Sequence, residues 1–154
     1  ALQPLAIALA RAGVTVLLPL PLERWPDAGL LFVGRAAFIF VLALAYDLCD
    51  QPFDLRQGLT TLVLQLGPRR SFRLIDAVLC LAAGCAVLQV VIGIFPWPAA
   101  PALIVSLALS AVVIRRVTGY MTWVGWRKVV IDGLMLFQFV LVWISLTLRT
   151  FKLF

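Results

Sequence analysis

Apolar runs long enough to cross a bilayer recur along the whole of this chain, and they restrict what it can fold into more than any other feature. A hydrocarbon core of about 30 Å takes about 20 apolar residues of helix. Candidate spans run from about Leu5 to Leu22, Leu30 to Cys49, Leu74 to Phe95, Ala102 to Val117 and Val129 to Leu148. The first carries Arg11, Pro19 and Pro21 and is the weakest of the five. Backbone polar groups in lipid must be satisfied within the segment, so such runs are helices. No stretch alternates with period two, as a transmembrane barrel strand would. Composition agrees: 64% of the residues are hydrophobic and 13% charged, with a mean hydropathy of +1.09. A soluble domain carries about 25% charged residues. The expected fold is an all-α, polytopic transmembrane bundle of about five spans, forming one membrane-embedded domain over residues 1–154.

Prolines 96, 98 and 101 predict a sharp non-helical link between the third and fourth spans. The link between the second and third spans, about residues 49–73, holds Arg56, Arg69, Arg70 and Arg73. Between the fourth and fifth lie Arg115, Arg116, Arg127 and Lys128. Both links fall on one side, and Arg24, Arg35, Arg149 and Lys152 fall on the other. The richer side is therefore expected to be cytoplasmic, in a multi-pass protein of a bacterial inner membrane. This sorting accounts for most of the net charge of +6, so the basic pI does not call for nucleic acid as a partner. The three cysteines, Cys49, Cys80 and Cys85, lack metal-ligand spacing and read as small buried residues rather than a disulfide framework. The absence of histidine argues against His-ligated metal, bundle haem and a His-dependent triad, and there is no Walker-type phosphate loop.

The seven acidic residues are unevenly placed. Glu23 and Asp27 fall on the outer side. Asp47, Asp50, Asp54, Asp76 and Asp132 all fall at the cytoplasmic ends of spans. Asp47, Asp50 and Asp54 stand at i, i+3 and i+7, which one helix would bring to one face. Three carboxylates on one stripe repel one another and call for a cation. One reading is a solvated acidic helix end. The other is a hard-cation site, because Mg²⁺ takes one or two carboxylates together with substrate phosphates. Arg56, Arg69, Arg70 and Arg73 would then meet the outer phosphate oxygens. Pro52 predicts that the helix ends near Asp50, leaving Asp54 on a loop or a new short helix. Gly58 and Gly67 predict turns that give this loop a definite structure.

The stretch from Ala45 to Gly67, with Asp47-Leu-Cys-Asp50-Gln-Pro-Phe-Asp54, then Arg56, Gly58, Thr61-Leu and Leu66-Gly67, resembles the second aspartate-rich motif of the UbiA superfamily of intramembrane prenyltransferases. The segment from Asp132 to Gln138 resembles the start of that family's last helix. The resemblance implies one half of a bundle of about nine helices. It further implies that Asp47, Asp50 and Asp54 are ligands of a Mg²⁺-bound polyprenyl diphosphate, with Arg56 on phosphate. The family transfers the prenyl group to an aromatic, quinone-precursor or similar lipid-phase acceptor. The chain departs from the pattern in having five spans and one motif, with Pro52, Phe53 and Leu55 where polar, acidic or basic residues are usual. It begins at Ala1 rather than Met. Three readings follow: the C-terminal half of a prenyltransferase, inactive alone; an inactive accessory subunit of a larger membrane complex; or an unrelated transporter or scaffold with an acidic gate. The expected partners are membrane lipid, a polyprenyl diphosphate, and a missing N-terminal half or other membrane subunits.

Overall fold

A computed structural model describes residues 2–21, 25–120 and 124–151, and every regular element among them is helical. Helix α1 spans Gln3–Ala12 and runs on through a π-helical turn at Gly13–Leu17; α2 spans Trp25–Gln57, α3 Leu62–Leu66, α4 Pro68–Val91, α5 Ala99–Tyr120 and α6 Val124–Phe151. Four of these, α2, α4, α5 and α6, are long and apolar enough to cross a membrane. The chain is therefore a multi-pass integral membrane protein with an all-α bundle.

Helix α2 is the axis of the bundle. Its apolar residues are not confined to one stripe: Ala37, Phe38, Ile39, Val41, Leu42, Leu44, Ala45 and Leu48 are all buried. A helix apolar on every side must be surrounded, and α1, α4, α5 and α6 all pack against it. Helices α4 and α5, and α5 and α6, pack as successive antiparallel neighbours. The outward face of α6 presents Leu136, Phe139 and Trp143 to lipid. Where α5 packs inward, the small buried side chains Ser106 and Ser110 give their hydroxyl protons to the carbonyls of Leu103 and Ser106, each at 2.7 Å. Small residues of this kind allow close backbone approach without an unpaired polar group.

The structure corrects three expectations. The first apolar run does not make a full span, because its helical part, Gln3–Leu17, falls short of the length needed. Pro52 does not end α2, which continues to Gln57 with the proline inside it. Proline removes one intrahelical hydrogen bond, but α3 folds back against this last part of α2 with Val63 fully buried. That tertiary packing outweighs the missing bond. The segment 49–73 is consequently mostly helical, with short turns. Gly58, at φ +67°, ends α2 in a left-handed conformation that side chains other than glycine's adopt poorly. Thr61 then caps α3 by accepting the Leu64 N–H at 3.4 Å. The link from Ile92 to Pro98 is non-helical, as Pro96 and Pro98 predict, with Trp97 exposed, whereas Pro101 lies in the first turn of α5, where a proline needs no N–H partner.

The helix ends group as the order of the spans predicts. The C-termini of α2 and α5 and the N-termini of α1, α4 and α6 share one end. Asp76 of α4 meets Arg115 of α5 there at 2.6 Å, and the Tyr46 hydroxyl of α2 donates to the Lys128 carbonyl of α6 at 3.3 Å. Of the charges assigned to the opposite end, Glu23, Arg24, Lys152 and the side chain of Arg149 lie outside the described residues. Both partners of the Asp76–Arg115 pair are substantially exposed, so water and salt screen it. Asp76→Asn is expected to lower stability by no more than about 1 kcal/mol, read as a small shift in thermal unfolding that vanishes in high salt.

Candidate functional site

Two cavities lie along α2, one toward each end. The first is at the aspartate end, with a volume of about 430 Å³. Asp47 and Asp50 enter it from successive turns of α2, Asp132 from the first turns of α6, and Gln3 and Arg11 from α1. The wall is otherwise Tyr46 and the apolar side chains Pro4, Ile7, Ile39, Leu42, Ala43 and Met135. The Asp50 carboxylate also takes an ion pair from Lys128 at 2.9 Å. Arg127, the neighbour of Lys128, has its Nε buried with no hydrogen-bond partner among the described residues, an arrangement that native structures seldom tolerate.

The sequence-predicted residues separate in this geometry. Asp47 and Asp50 share the cavity. Asp54 lies on the same helix about 6 Å beyond Asp50 along its axis, where it is only 8% exposed, and it is not part of the cavity wall. Arg56, Arg69, Arg70 and Arg73 are exposed on the outside of the same end and do not line the cavity either. Motif spacing does not single out Arg11, Tyr46 and Asp132 as cavity residues, or Lys128 as the partner of Asp50. Their positions, on three different helices, hold no short-range signal that could have joined them.

The donor set suits a small hard cation. Among the described residues no three carboxylates or thiols lie close enough to share one ion. Mg²⁺ asks for only one or two carboxylates and takes the remainder from water and phosphate; Asp47 and Asp50 line this cavity together, Asp50 with Lys128 as its ion-pair partner. Among the described residues no thiol or imidazole lines this wall, and its one sulfur is the Met135 thioether.

The second cavity, about 370 Å³, lies toward the other end of the bundle. Its walls are mostly apolar, with Phe38, Phe95, Leu103, Leu107 and Phe139 among them, and its polar groups are Thr15, Arg35, Gln89 and Gln138. Charge counting places Arg35 among the outer-side residues. The structure turns it inward, where its Nη1 donates to Gln138 Oε1 at 3.1 Å. Its signal in the sequence was isolation: it is the one charge between Ala28 and Tyr46.

The fold and these two cavities define a class, a helical membrane protein with a charged cleft at one end and an arginine inside the bundle. Comparison with known protein families, curated proteins and solved structures found no match to this chain.

Proposed function

We propose that this chain is the C-terminal half of a UbiA-like intramembrane prenyltransferase, which holds the Mg²⁺-bound diphosphate of a polyprenyl donor at its aspartate end. The observation that carries this reading is the first cavity, which Asp47, Asp50, Asp132 and Arg11 line together with apolar side chains. A prenyl diphosphate has that polarity, a dense anion joined to a hydrocarbon chain. Asp47 and Asp50 would hold the cation, and Mg²⁺ supplies neutralisation of the departing diphosphate when bound. Arg11 adds a guanidinium suited to phosphate oxygens. Ile7, Ile39, Leu42 and Met135 keep water from the first isoprene units. A single aspartate motif supplies one side of such a clamp, so transfer to an aromatic or quinone-precursor acceptor requires a second half-bundle. The concentration of basic residues at this end supports a cytoplasmic placement of the aspartates in a bacterial inner membrane.

The test is binding of radiolabelled farnesyl diphosphate to the chain in nanodiscs. Mg²⁺-dependent binding is expected, weakened at least about tenfold in Asp47→Asn and Asp50→Asn, with no transfer by the chain alone. Binding indifferent to Mg²⁺ and to both substitutions would exclude the reading.

The Asp50–Lys128 pair favours a second reading, an accessory subunit without catalysis, because the protein's own cation already offsets this carboxylate. The two separate on Lys128→Gln. Freeing Asp50 for the metal keeps or strengthens diphosphate binding under the first reading. Under the second it loosens the contact between α2 and α6 and no binding is seen in any variant.

A further inference from the structure

We infer that the cavity around Arg35 is a second binding site, for a lipid-phase monoanion: a carboxylate or phosphodiester carried on an apolar body. This goes beyond the proposed function. Along α2, Arg35 and Asp47 are twelve residues apart, about 18 Å at 1.5 Å per residue, and no residue lines both cavities.

Four features point to the ligand. Arg35 is a permanent charge within an otherwise uncharged apolar run, and charges so placed are costly unless partnered. Among the described residues its side chain makes one hydrogen bond, to the neutral Gln138 Oε1, and no ion pair. A guanidinium has five N–H donors in a planar fork, so most of its donor capacity remains for an oxyanion. No carboxylate lines the cavity among those residues, which leaves the charge uncompensated by the protein.

The remaining polar groups fit the same ligand. Gln89 and Gln138 are 5% and 7% exposed, buried amides on α4 and α6 that converge on Arg35 of α2. Gln89 Nε2 donates to the Leu30 carbonyl at 3.1 Å, which anchors this amide to α2 one turn before the arginine. Gly34 permits the approach, since a Cβ there would stand 3.1 Å from Gln89 Nε2. With a single cation among the described lining residues, one negative charge is balanced and two are not, which favours a monoanion over a dianionic phosphomonoester or a diphosphate. Phe38, Phe95, Leu103 and Phe139 offer the apolar body its contacts, and the volume of about 370 Å³ falls within the usual range for small-molecule sites.

Native mass spectrometry of the full chain released from detergent tests this with two matched pairs, palmitate against hexadecanol, and phosphatidylglycerol against phosphatidylcholine. The expected result is one anion retained per chain, at least roughly tenfold over its uncharged or zwitterionic counterpart. Preference within the first pair identifies a free carboxylate as the source, and within the second a bilayer phosphodiester. Arg35→Gln abolishes the preference and Arg35→Lys keeps part of it. Leu103→Trp, which fills the cavity and leaves Arg35 in place, lowers retention. Equal retention within both pairs by the unmodified chain overturns the inference even if Arg35→Gln fails to fold. So does a preference that survives Arg35→Gln or Leu103→Trp with helical content unchanged by circular dichroism.

Discussion

Leu44→Ala is expected to lower the stability of the bundle by about 2–5 kcal/mol, while Leu136→Ala leaves it within about 0.5 kcal/mol of the parent. Both delete the same atoms from a membrane-spanning helix. Leu44 is 0% exposed in the centre of α2, and Leu136 is 69% exposed on the outer face of α6. Lipid tails are as apolar as leucine, so moving a side chain from lipid to protein yields little by itself. What Leu44 contributes is close contact with the surrounding helices, and truncation leaves a cavity that those helices cannot fully close. At Leu136 mobile acyl chains occupy the space released. Thermal unfolding of the two variants in the same detergent measures the difference. Equal losses would mean that α2 is not the enclosed helix described above.

Gly34→Leu is expected to cost more than about 2 kcal/mol and to separate α2 from α4 near the Arg35 cavity. An added Cβ would already lie 3.1 Å from Gln89 Nε2 and 3.2 Å from the Cys85 Cβ. Both distances are tight. Alanine needs a shift of a few tenths of an ångström, and leucine brings three further carbon atoms into a contact with no room for them. The displacement also breaks the Gln89–Leu30 hydrogen bond, which leaves a buried amide without its acceptor and adds about 1–3 kcal/mol. Gly34→Ala should fall between the parent and the leucine variant in a thermal unfolding series. A leucine variant as stable as the parent would show that α4 does not approach α2 at this point.

These effects mark what could and could not be read along the chain. The four long helices were legible because lipid leaves an apolar run no alternative to internal hydrogen bonding. The grouping of helix ends was legible too, since charge sorting and alternating direction depend only on the order of spans. Two local readings were overruled by packing. Pro52 is a helix breaker by its own chemistry, yet α3 holds the last turns of α2 in place, so Asp47, Asp50 and Asp54 lie on one continuous helix. The first run had the composition of a span, but its helix ends after the π-helical turn at Gly13–Leu17.

The cavities belong to the tertiary structure alone. Asp47 and Asp50 are a local pair, legible from i, i+3 spacing. Arg11 and Asp132 join them only because α1 and α6 flank α2. Arg35, Gln89 and Gln138 are far apart in sequence and meet through three helices. By itself the sequence determined that this chain is a helical membrane protein with its acids and arginines concentrated at one end, because hydropathy and charge act residue by residue. Which of those charges face a common space, and that one arginine turns inward away from them, was decided by how the helices pack, because rotation about a helix axis and the choice of neighbours depend on contacts between residues distant in the chain.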